Sequence, residues 1–226
     1  QGADIDGEAE YDYSGYNVSL SSDGTTVAIG AESNDGNGPS SGHVRIYAWD
    51  SATSAWEQQG ADMDGEAAGD QSGTSVSLSS DGTTVAIGAP YNDANGSNSG
   101  HVRIYAWNSV TSAWDQQGAD IDGEAANDNS GISVSLSSDG TTVAIGAPYN
   151  TDNGIYPGHV RIYAWNSATS AWEQQGADID GEAANDYSGI SVSLSSDGTT
   201  VAIGAHGNDG SGSDSGHVRI YVVSCE

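Results

Sequence analysis

Carboxylates are the most abundant chemistry in this sequence, and they recur in a fixed pattern. Asp-x-Asp-Gly-Glu followed by a further aspartate occurs four times: Asp4, Asp6, Glu8 and Asp12; Asp62, Asp64, Glu66 and Asp70; Asp120, Asp122, Glu124 and Asp128; Asp178, Asp180, Glu182 and Asp186. Calcium takes roughly six to eight oxygen ligands, and several carboxylates on one bendable loop suit it. Calcium is the one candidate cofactor, at these loops, and none is firmly implied. The EF-hand pattern is not met, because its third acidic position and distal glutamate are missing. The alternative is a solvated acidic turn whose aspartates cap backbone amides.

A second set of residues recurs with the first. His43, His101, His159 and His217 each stand two residues before Arg45, Arg103, Arg161 or Arg219. Alternation along a strand puts each His and its Arg on one face. Once-per-unit repetition favours a packing role over metal ligation or catalysis, with each arginine paired to an acidic neighbour. Trp49, Trp56, Trp107, Trp114, Trp165 and Trp172 are expected to fill gaps between packed units, the alternative being stacking on sugars. Catalysis finds no support: there is no lysine, no nucleophile elbow and no asymmetric His-Asp-Ser grouping.

Composition narrows the partners. Thirty-two Asp and Glu against 4 arginines leave a formal net charge of -28. Nucleic acid and anionic membranes would be repelled. One cysteine, Cys225, builds neither an intrachain disulfide framework nor a cysteine-rich zinc site; it is read as a free thiol or an intermolecular link. No apolar run is long enough for a membrane span. The start at Gln1, with no signal segment, is read as that of a processed or partial chain.

The elements that must position these residues come from an internal repeat. Gln1-Gly2-Ala3-Asp4 returns at Gln59, Gln117 and Gln175, a period of 58 residues. The repeats are taken as 1–58, 59–116, 117–174 and 175–226 of one domain. Each reads as four short strands, here for the second copy. Strand A is Ser75 to Ser79, and Asp81-Gly82 makes a tight turn. Strand B is Thr83 to Gly88, strand C His101 to Trp107, and strand D roughly Ala113 to Ile121. Four antiparallel strands per unit are the grammar of a β-propeller blade. The fold expected is all-β, four-bladed if the chain closes on itself, with Gln1 to Ile5 completing the last blade. The small residues of strand B are expected nearest the axis.

The segments Ser72-Gly73-Thr74-Ser75-Val76-Ser77-Leu78, Val85-Ala86-Ile87-Gly88-Ala89-Pro90 and Gly100-His101-Val102-Arg103-Ile104-Tyr105 resemble the FG-GAP repeat of integrin-α-type propellers. The resemblance covers essentially the whole chain. The phenylalanine of the family name is absent, and the A–B connection Ser-Ser-Asp-Gly-Thr is too short for the calcium loop many such repeats carry there. What the resemblance implies is a non-enzymatic, extracellular binding or adhesion propeller.

Strand direction puts the B–C and D–A loops on one face. The B–C loops differ most between copies, and loops on a rigid scaffold are the usual place for recognition. Asp35, Tyr91, Asp93, Tyr149, Asp152, Tyr156, His206 and Asp209 are the candidate contacts for a protein or glycan partner. Drift of unconstrained loops is the alternative. Asn17 and Asn95 head N-glycosylation sequons. The rival roles are a structural tile of a filament, coat or matrix, which would involve self-assembly, and a propeller lectin.

Overall fold

The computed structural model describes residues 1–223, so Cys225 lies outside the described residues. All regular elements among the described residues are strands, in four antiparallel sheets. The first sheet holds β1 (Asn17–Leu20), β2 (Thr26–Ala31), β3 (His43–Asp50), β4 (Ala55–Gln58) and β5 (Met63–Asp64). The second holds β6 (Ser75–Leu78), β7 (Thr84–Ala89), β8 (His101–Asn108), β9 (Ala113–Gln116) and β10 (Ile121–Asp122). The third holds β11 (Ser133–Leu136), β12 (Thr142–Ala147), β13 (His159–Asn166), β14 (Ala171–Gln174) and β15 (Ile179–Asp180). The fourth holds β16 (Ser191–Leu194), β17 (Thr200–Ala205) and β18 (His217–Val222).

Strands A, B and C fall where the periodicity puts them, but strand D is broken in two. In the second blade, β9 pairs β8 from Tyr105↔Gln116 outward, and β10 resumes at Val102↔Ile121. Four residues, Gln117 to Asp120, therefore stand opposite Arg103 and Ile104, and the surplus bulges out. Gly118 permits this with a φ of +82, and its vacant Cβ position faces Trp165 and Trp172 of the next blade. The tryptophans do fill gaps between blades: Trp172 Nε1 donates to the Gln117 carbonyl at 2.8 Å, and Trp114 Nε1 to that of Gln59 at 2.8 Å.

The core lies between blades. Ala28, Val44, Ile46 and Met63 of the first blade pack on Val76, Leu78, Val85 and Ile87 of the second. The same layers recur between the second and third, and between the third and fourth. Alternation thus gives every blade two apolar faces with different residue sets. Strand A, not strand B, lies innermost: β1 contacts β6, β6 contacts β11 and β11 contacts β16. Asn17, Ser75, Ser133 and Ser191 of these strands line one cleft. Ser77 Oγ accepts the Leu136 amide at 2.9 Å, and Ser135 Oγ accepts that of Leu194 at 2.9 Å. The alternating serines of strand A thus satisfy backbone groups of the next blade.

Closure is not seen. Gln1 to Asp6 lie on the first blade rather than the last: Trp56 Nε1 donates to the Gln1 carbonyl at 3.1 Å and Arg45 Nη2 to that of Asp6 at 2.8 Å. These bonds repeat those that the second and third blades make to the segment preceding them, but unlike β5 and β10 the first segment pairs with no strand of the preceding sheet, and the fourth sheet holds β16, β17 and β18 alone among the described residues. The outer apolar faces of the first and fourth blades remain exposed.

Candidate functional site

The B–C and D–A loops meet on one face, as strand direction requires. Asn95 Nδ2 donates to the carbonyls of Gly123 at 2.9 Å and Glu124 at 3.0 Å, and Ser130 N donates to Ser99 O at 3.0 Å. The Asn95 amide nitrogen is therefore committed to its neighbouring loop. Asn17 Oδ1 accepts the Val76 amide at 3.1 Å, which ties this sequon to the blade interface.

The carboxylates of each D–A loop are separated, not gathered into one calcium cage. Asp12, Asp70, Asp128 and Asp186 are buried, each accepting one Asn amide and one backbone amide; for Asp70 these are Asn92 Nδ2 at 2.9 Å and Ala67 N at 3.1 Å. Asp6, Asp64, Asp122 and Asp180 offer their backbone carbonyls to the four arginines. Asp62, Asp120 and Asp178 accept from Gln58, Gln116 and Gln174 through one oxygen, at 2.6 to 2.7 Å. Asp4 lines a groove beside Tyr47 and Trp56. Asp35, Asp93 and Asp209 each accept a backbone amide five residues on within their own loops, as turn caps do.

What the fold does gather crosses repeat boundaries. The bulge in strand D swings Asp120 toward His101, and the Arg103 guanidinium holds the Glu66 loop on the same side. His101 Nδ1 lies 3.8 Å from Glu66 Oε2 and 3.8 Å from Asp120 Oδ2. His159 stands 3.7 Å from Glu124 and 4.0 Å from Asp178, with Asp152 joining the group. His43 faces Glu8 at 3.8 Å and Asp62 at 3.9 Å. The arginines do pair with acids: Arg161 Nη1 lies 3.7 Å from Glu124 Oε1, and Arg103 Nη1 3.8 Å from Glu66 Oε1. Burial, with the nearby arginine adding to it, holds the His101 and His159 imidazoles below the ordinary range despite the carboxylates. Period-two alternation puts His with Arg; it carries no signal for the bulge that adds Asp120.

A different group forms where the loops vary. Tyr149 and Tyr156 meet edge to face at 5.7 Å, Tyr156 and Tyr187 stack at 6.0 Å, and Tyr187 stacks on His206 at 5.2 Å. A cleft of about 460 Å³ opens beside them, lined by Tyr91, Tyr149, Tyr156, Asn127, Asn129 and Thr151. Tyr156 and Tyr187 hold left-handed backbone, with φ of 52 and 54. The second repeat has Asn98 and Gln71 at those places, and the third repeat Asn129 at that of Tyr187. Bulky residues are poorly suited to that region, so the aromatic choice runs against local preference.

The FG-GAP repeat profile matches residues 5–47, 61–105, 120–163 and 178–221. The chain belongs to the FG-GAP repeat family. No curated protein sequence matches it. Among solved structures it is similar to the hydrazine synthase of Kuenenia stuttgartiensis, at 14% identity and a TM-score of 0.58, over 99% of this chain and 49% of that one. It is also similar to a candidate 6-phosphogluconolactonase from Bacteroides uniformis, at 13% identity and a TM-score of 0.51, over 94% of this chain and 68% of that one. The chain thus spans about half the length of the first. At such identity the likeness is one of fold.

Proposed function

We propose that the protein is a non-enzymatic, extracellular binding or adhesion module that takes a protein or glycan partner on its B–C/D–A loop face. The observation that carries this reading is the Tyr149–Tyr156–Tyr187–His206 aromatic group beside the Tyr91 cleft. Aromatic faces next to Asn and Thr side chains suit a ligand that is apolar on one side and hydroxylated or amidic on the other. The placement of two tyrosines in strained backbone supports a functional origin over loop drift. The carboxylate sets, by contrast, recur on successive blades, which argues against one asymmetric catalytic centre. The test is retention on a glycan array and on an array of extracellular-matrix proteins, each read with the native chain and with Tyr156→Ala. Saturable binding lost in the variant supports the reading. Absence of retention on both arrays, or retention that Tyr156→Ala leaves intact, removes it.

A second reading, the structural tile, has its own observation. Leu20 is 57% exposed where its counterpart Leu78 is 7%, and Ile220 is 70% exposed where Ile104 is 2%. The two outer faces are the two halves of the blade interface, so they are complementary to one another. The occupant that fits is a second copy of this chain, docked end to end. Mass that rises with concentration in light scattering supports this; a monomer at all concentrations refutes it.

A further inference from the structure

His101 and His159 present a chemistry that neither packing nor ligand recognition uses. Each is 1% exposed, and no nitrogen of either ring hydrogen-bonds any protein atom. A buried polar group left without partners is destabilising, because its lost hydration is not replaced. An aliphatic side chain would fill the same space without that cost. Yet each ring turns Nδ1 toward two carboxylates from consecutive D–A loops, at 3.7 to 4.0 Å. Those separations are too long for hydrogen bonds. They lie a few tenths of an ångström beyond the roughly 3.4 Å between two ligands of one tetrahedral ion with bonds of about 2.1 Å.

We propose that His159 with Glu124 and Asp178, and His101 with Glu66 and Asp120, are sites for a divalent transition cation of the zinc class. His43 with Glu8 and Asp62 forms a third. One imidazole and two carboxylates make a donor set suited to such ions, whereas calcium takes oxygen ligands. The His159 site has Asp152 in addition, so it is the strongest. The fourth is not equivalent: among the described residues His217 groups with Glu182 and the already hydrogen-bonded Asp186. Arg161 acts as the outer brace, with Nη2 on the Asp122 carbonyl at 2.6 Å and Nη1 facing the Glu124 carboxylate. The bridging ion would join the loop entering a blade to the bulged strand leaving it. Metal binding would therefore stiffen the loop face.

The experiment is calorimetric titration of the chelator-treated full chain with zinc chloride, and separately with calcium chloride. Histidine ring nitrogen shifts are recorded by NMR in the same samples. The expected result is about three zinc equivalents, with ring resonances of the three buried histidines displaced and no matching displacement by calcium. Asp178→Asn changes a half-buried side chain and leaves the core intact. It should remove one equivalent, weakening that site by more than the ~10–100-fold typical of losing an outer-shell partner. His159→Asn is the second variant, with circular dichroism as its check on folding. Zinc heat with unmoved histidine resonances would mean adventitious carboxylate binding and overturn the proposal. So would absence of zinc heat, calcium moving the rings as zinc does, or an unchanged stoichiometry in Asp178→Asn.

Discussion

Ser80 hydrogen-bonds to its own counterpart one repeat later: its amide donates to the Ser138 carbonyl at 2.9 Å. Ser22 does the same to Ser80, and Ser138 to Ser196, each at 2.9 Å. A relationship that links every blade to the next by equivalent atoms has no internal stop. The terminal blades are left with one half of it each, beside the exposed Leu20 and Ile220. Placing a charge in either half should block end-to-end docking, because burial of an unpaired carboxylate is strongly unfavourable. Leu20→Asp and Ile220→Asp are each expected to hold the chain monomeric at concentrations where the native chain gains mass. A mixture of the two variants is expected to form one-to-one dimers, since each keeps one intact face. Light scattering of the single variants and the mixture reads both outcomes.

The blades approach most closely through glycine. A Cβ on Gly88 would overlap the Gly131 carbonyl oxygen of the next blade, and one on Gly146 would overlap that of Gly189. Backbone cannot give way as a side-chain tip can, so Gly88→Ala should destabilise by about 1–3 kcal/mol or more, as overpacking does. Gly204 is the same residue on the fourth blade, where the nearest atoms to its Cβ would all be those of Ser191 in its own sheet, the hydroxyl first. Gly204→Ala should therefore cost clearly less. Urea unfolding midpoints of the two variants provide the comparison; equal losses would mean that the blade contact is not what selects glycine.

How much of this was readable beforehand depends on whether a residue's neighbour lies inside its own repeat. The strands of β6, β7 and β8 follow from alternation in Val76-Ser77-Leu78 and Val102-Arg103-Ile104, because that pattern is local. The tight turn at Asp81 follows for the same reason. The grouping of Asp120 with His101 does not, because the two join across a repeat boundary through a two-residue surplus opposite Ile104 and Arg103. Sequence spacing placed Asp120 with Asp122 and Glu124, whereas the pleat sends adjacent carboxylates to different partners. The open ring was also hidden. Four identical interfaces look alike in sequence whether the last one closes or not, and only the exposure of Leu20 and Ile220 separates the cases.

The invariant A–B turn predicts a pH dependence. The Ser195 hydroxyl, then the Thr199 amide, stabilise the Asp197 carboxylate and bring its pKa down to about 2. Their first-repeat counterparts, Ser21 and then Thr25, lower Asp23 in the same way. An unfolded aspartate titrates near 3.9. A folded pKa below the unfolded one contributes stability that is complete above about 3.9 and is lost as pH falls toward about 2. Acidification also relieves repulsion within a chain of net charge -28, so the total stability mixes two opposing trends. The difference between the native chain and Asp197→Asn isolates the turn. That difference should be full at pH 5 and shrink steeply as pH falls to 2; a gap as large at pH 2 as at pH 5 would mean the carboxylate charge is not what the turn uses.

Tyr13 and Tyr187 occupy the same place in the first and fourth repeats, both with left-handed backbone, at φ of 53 and 54. Asn tolerates that region far better than Tyr. Tyr13 is exposed and stacks on no other ring among the described residues. Tyr13→Asn should therefore raise stability by about 1 kcal/mol through relief of backbone strain. Tyr187 contacts Tyr149, Tyr156 and His206, and each aromatic pair contributes about 0.5–1.5 kcal/mol. There the loss of three contacts outweighs the relief, and Tyr187→Asn should destabilise. It should also disrupt the cleft that Tyr149 and Tyr156 line, whereas Tyr13→Asn leaves that cleft untouched. Melting temperatures of the two variants, followed by partner binding with each, separate the contributions. Opposite signs in melting with binding lost only in Tyr187→Asn would tie the strained tyrosine to recognition, because a residue held against local preference by its neighbours is retained for what the group does together.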